Sequence, residues 1–111
     1  MRTPRLSRRL KLEAPIRTSD GSGGFSKGWF ELGALWAEVA PAGSRLVAQP
    51  GATETRLPLR VTVRAAPFGS PSRPEPGQRF RDGARVFPIA SVADDAAGRF
   101  LLCLAHEEAA L

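Results

Sequence analysis

The chain has one cysteine, one histidine and no apolar run long enough to span a membrane. Each shortage excludes something. Cys103 has no second cysteine to pair with. It lies inside Phe100-Leu101-Leu102-Cys103-Leu104-Ala105, which reads as a buried, reduced core thiol made in a reducing cytoplasm. With His106 as the one histidine, no Ser-His-Asp or Cys-His site can be built around a second candidate. One Cys and one His make no zinc site. Asp94 and Asp95 read as a solvated turn, and Glu107 and Glu108 as a solvated or interface end. No apolar run approaches the roughly 18 residues of a membrane span. The basic N-terminus is followed by no apolar stretch, so no signal peptide is expected. The expectation is no catalytic residue, cofactor, metal or membrane.

What is present points to strands. The 111 residues are expected to form one domain, 1–111, with a modest core. Ten prolines and eleven glycines argue against a helical bundle and for short strands joined by long loops. Charge is unevenly placed. Arg2, Arg5, Arg8, Arg9 and Lys11 carry the whole formal excess of +5, because the other basic residues are balanced by the acids. An exposed basic arm, residues 1–8, suits a polyanion: nucleic acid or an acidic patch on a neighbour. A solvated tail is the other reading.

Leu10, Leu12, Ala14 and Ile16 alternate with Lys11, Glu13, Pro15 and Arg17, as in a half-buried strand with Pro15 near an edge. Residues 18–28 form a glycine-rich turn containing Asp20-Gly-Ser-Gly-Gly-Phe25. It fits neither phosphate-loop nor dinucleotide spacing. Residues 34–40 are ambiguous between strand and helix, and Pro41 and Gly43 make a strand the easier fit. Residues 41–56 read as a long loop or a short helix. Leu57, Leu59, Val61 and Val63 alternate with Pro58, Arg60, Thr62 and Arg64 in the cleanest strand. Residues 65–78 are a proline-rich loop. Asp82-Gly83 signals a hairpin, residues 85–92 a strand interrupted by Pro88, and residues 100–104 a central last strand. The expected core is Trp36, Val61, Val63, Phe100 and Leu102. The fold class is all-β: a small antiparallel barrel or sandwich of five or six short strands, closed to hide its edges.

In order along the chain stand residues 6–15, then Asp20 to Gly24, Trp29, Trp36-Ala-Glu-Val39, Leu59-Arg-Val-Thr-Val-Arg64, residues 79–92 and Arg99 to Glu108. Together they resemble the head–tail joining (head-closure, or stopper) proteins of tailed bacteriophages and of gene transfer agents. Pro88 and the length of residues 65–78 depart from that pattern.

The resemblance implies a non-enzymatic virion protein at the head–tail interface. It implies a homo-oligomeric ring, with a portal or adaptor protein above and a tail terminator or tail tube protein below. Such a ring closes the channel after DNA packaging and offers the tail its platform. On this view Arg2, Arg5, Arg8 and Arg9 would contact double-stranded DNA or a neighbouring ring. Arg45, Leu46, Val47, Gln49 and Glu54 would belong to a channel-closing loop. The alternative is a small OB-like module for single-stranded nucleic acid, stacking bases on aromatics and tracking phosphates with arginine.

Overall fold

The computed structural model describes residues 3–19, 21, 23, 25–42 and 57–108. Among them are six strands and no helix: β1 (Arg8–Ser19), β2 (Phe25–Pro41), β3 (Pro58–Arg64), β4 (Arg79–Asp82), β5 (Arg85–Asp94) and β6 (Phe100–His106). All pairings are antiparallel. The sheet closes on itself in the order β1-β2-β3-β6-β5-β4. A small all-β barrel is therefore the fold.

Alternation decides which side chains fill it. Leu10 and Leu12 on β1, Val61 and Val63 on β3, and Leu101 and Cys103 on β6 point inward and are buried. Phe80 and Phe87 face each other across β4 and β5, and both are fully buried. Leu12 stands opposite Phe80, so the two rings meet β1 at the centre of the core.

Two expected core residues face outward instead. Trp36 is 57% exposed and Leu102 37%. Phe100 is only half-buried. On β2 the inward phase is Leu35, Ala37 and Val39, which leaves Trp36 in phase with Glu38. On β6 it is Leu101, Cys103 and Ala105, which leaves Leu102 in phase with His106. Near the barrel both strands are apolar in both phases, and the inner phase is the one without the polar residue, Glu38 on β2 and His106 on β6, because burying a polar side chain is costly.

β1 and β2 are longer than the rest of the barrel uses. β4 opposes β1 only at residues 11–13, and β3 opposes β2 only at residues 37–41. A register shift at Leu12/Glu13 marks a bulge. Beyond it the hairpin runs on as a two-stranded ribbon, paired as far as Ser19 with Phe25. The turn expected at residues 18–28 is thus shorter, and the strands on either side longer. Pro88 does not interrupt β5; it pairs with Arg79, and Ile89 N–H donates to Gln78 O at 2.9 Å.

Burial pushes the Cys103 thiol up to about 12, against a smaller downward pull from Arg73. Folding thus favours the protonated thiol, and its contribution to stability falls as pH rises from about 9 towards 12. Thiol-reactive dyes at neutral pH should label Cys103 only after unfolding. Phe80→Ala should cost about 3–5 kcal/mol in a denaturant titration, as truncating a buried aromatic does.

Candidate interaction surfaces

The ribbon is anchored by a shared carboxylate. Glu13 is 8% exposed at the bulge. Arg79 Nε donates to Glu13 Oε1 at 2.7 Å, and Arg81 Nη1 lies 3.6 Å from Oε2. The Arg79 guanidinium also lies over the Trp29 ring, 4.0 Å from its centroid. Trp29 thereby roofs the ion pair while staying 41% exposed. Ile16 stands across from Gly28, and Ala14 across from Phe30. Ile16 and Phe30 are exposed as well. The ribbon thus offers apolar side chains on both faces with no partner strand on either edge among the described residues.

The second surface lies beside β2 on the outside of the barrel. β3 leaves β2 after Val63, Arg64 pairs with Phe100 on β6, and Ala65 N–H turns to Arg99 O at 3.0 Å. The gap so opened is a groove of about 600 Å³ lined by Leu6, Ala34, Leu35, Trp36, Arg64, Ala65, Ala66 and Ser72. Arg9 is in register with Trp36, and Arg64 follows Val63, the partner of Ala37. Trp36 therefore stands between two exposed arginines. Among the described residues, Arg9, Arg60, Arg64 and Arg99 meet no acid.

The basic arm divides on inspection. β1 begins at Arg8, so the sheet takes Arg8 and Arg9 out of it. Arg8 is committed to Asp82, with Nε at 2.9 Å and Nη2 at 2.7 Å from Oδ2. Arg5 is exposed, but its N–H is held by Glu38 Oε2 at 2.8 Å, and Ser7 N–H folds back to Arg5 O. Residues 3–7 therefore lie against β2 and Leu6 reaches the groove. Arg2 lies outside the described residues. So do Arg45, Leu46, Val47, Gln49 and Glu54 of the expected closing loop.

The proline-rich connection is built around Arg73, which is 7% exposed. Its Nη1 donates to Ala66 O at 3.0 Å and lies 3.6 Å from Asp94 Oδ1. The Phe68 ring caps it at 3.8 Å. At the opposite end of the barrel, Arg85 Nε and Nη2 donate to Glu107 at 2.7 and 2.9 Å. That pair holds the Glu107 carboxyl below the usual carboxylate range. Among the described residues no three His, Cys, Asp or Glu come together as metal ligands. Val61 and Val63 remain in the core; the outward Trp36 belongs to this surface. Sequence reading missed Arg64, Arg79 and Glu13 as partners. Their signal is positional, since Glu13 and Arg79 are 66 residues apart.

Comparison with known proteins follows from this geometry. The model of one family, described as phage head completion protein, matches residues 1–108. Among solved structures, a chain of the virion of a native gene transfer agent particle superposes with a TM-score of 0.80 and is 44% identical. The match covers 97% of this chain and 100% of that one. No curated protein matches.

Exposed and buried side chains should separate in stability measurements. Trp36→Ala should change stability by no more than about 0.5 kcal/mol, as surface substitutions do. Glu13→Ala, which strands Arg79, should cost about 1.5–3 kcal/mol, the range for hydrogen bonds to charged groups. Urea titrations of the two variants against the parent check both.

Proposed function

The chain belongs to the phage head completion protein family, and from that premise we propose that it is a non-enzymatic ring component of the head–tail interface. The ring closes the portal channel once DNA is packaged and receives the tail. The observation that carries this reading is the 44% identity, over nearly the whole chain, to a chain of a gene transfer agent virion. A particle of the same kind, in a bacterial cytoplasm, is the expected setting.

Physical form supports it. A closed barrel leaves little sheet edge to share; among the described residues the exceptions are the ribbon and the part of β2 that β3 does not cover. The ribbon's exposed Ile16, Trp29 and Phe30 are costly in water unless something covers them in the particle. Arg5 and Arg9 remain available for DNA or an adjoining ring, whereas Arg8 is tied to Asp82. From the sequence we assign closure to residues 43–55, which carry Arg45, Leu46, Val47, Gln49 and Glu54. An OB-like module would gather several open stacking platforms; among the described residues Trp36 stands between Arg9 and Arg64, whereas Trp29 and Phe68 are already stacked on Arg79 and Arg73.

Shortening residues 46–53 should leave the barrel's melting unchanged, because loop length costs little entropy. Heads assembled with that variant should lose packaged DNA before tails join, measured as nuclease-sensitive DNA. Heads that keep their DNA as well as the parent would contradict closure by this loop. Heads made without the chain that still retain DNA and acquire tails would contradict the function itself.

A further inference from the structure

We infer that the groove beside Trp36, with the free edge of β2, receives an extended, acidic and apolar segment of a different virion protein, which adds to β2 as a strand. The inference rests on the proposed place in the virion. It names a receptor site on the chain, and three observations carry it.

The first is backbone. Residues 34–36 pair with β1 on one side, and β3 has already turned away on the other. Main-chain donors and acceptors at such an edge are a template for strand addition. The two edges of the ribbon are not equal. β1 carries Pro15, which has no N–H to offer a pairing strand. β2 has no proline before Pro41. The unguarded edge is the one that leads into the groove.

The second is lining. Leu6, Ala34, Leu35, Ala65 and Ala66 are apolar and leave room for side chains that alternate along a strand. An apolar floor of this kind favours a peptide over DNA, whose outer surface is phosphate. The third is charge. Arg9 and Arg64 flank Trp36 without an acidic partner among the described residues. An arriving carboxylate would gain both guanidiniums. A second copy of this chain carries a net charge of +5 and would bring like charge to the same place. Charge complementarity therefore selects a different chain.

The test places p-benzoylphenylalanine at position 36, or at the exposed Ala34 if position 36 blocks incorporation, in chains assembled into whole particles. After irradiation, the cross-linked peptides are sequenced by mass spectrometry. The expected product joins this chain to another virion protein, at a segment with acidic residues and no proline. Pairing Arg9→Glu with Arg64→Glu should lower that product about tenfold or more, as reversed charge at a contact does, with the melting of the free chain unchanged. Products confined to copies of this chain, products with DNA, or no product from tailed, DNA-filled particles would each overturn the inference. Because those particles would still be closed and tailed, such a failure is distinct from failure of the proposed function.

Discussion

The structure depends on a short seam. Only residues 11–13 of β1 meet residues 79–81 of β4, yet this contact turns an open six-stranded sheet into a barrel. Backbone pairing over so few residues is weak closure. The side chains reinforce it: Glu13 holds Arg79 and Arg81 at one end, and Arg8 holds Asp82 at the other. Leu12 and Phe80 meet beneath it in the core. Without the seam, β1 and β4 would both be free edges, and the core between Phe80 and Phe87 would open to water.

Closure also determines what the outside can do. Once the barrel is complete, the strand backbone left for partners among the described residues is the part of the β1–β2 hairpin that β3 and β4 do not cover. The seam ends at the bulge, and the ribbon begins there, so Glu13 anchors one and launches the other. The two ends of the barrel then differ in character. One carries ion pairs, Arg8 with Asp82 and Arg85 with Glu107. The other carries Ile16, Trp29, Phe30 and Phe68 in the open, beside the Arg73–Asp94 and Arg79–Glu13 pairs.

Much of this was legible in the sequence, and the failures have physical causes. β3 announces itself because Leu59, Val61 and Val63 alternate with Arg60, Thr62 and Arg64. β2 and β6 do not, because they are apolar in both phases. Glu38 and His106 would have settled the phase: each shares its face with the residue wrongly sent inside, Trp36 or Leu102. The ribbon was hidden by its glycines, which read as a long turn. The seam was beyond reach, since nothing local marks Glu13 as the partner of Arg79. Arg73 was concealed in a stretch that looked like a plain proline-rich loop, although it is one of the most buried charges in the barrel.

Amide hydrogen exchange of the isolated, full-length chain tests the closed barrel with its free ribbon most directly. Amides of β4 and of residues 11–13 should exchange as slowly as those of β3 and β6, since closure makes them one cooperative unit. Amides of residues 14, 16–19 and 25–30 should exchange much faster, as expected for a two-stranded ribbon outside the core. Fast exchange throughout β4, with β3 and β6 still protected, would mean that the sheet is open and that the account fails at its seam.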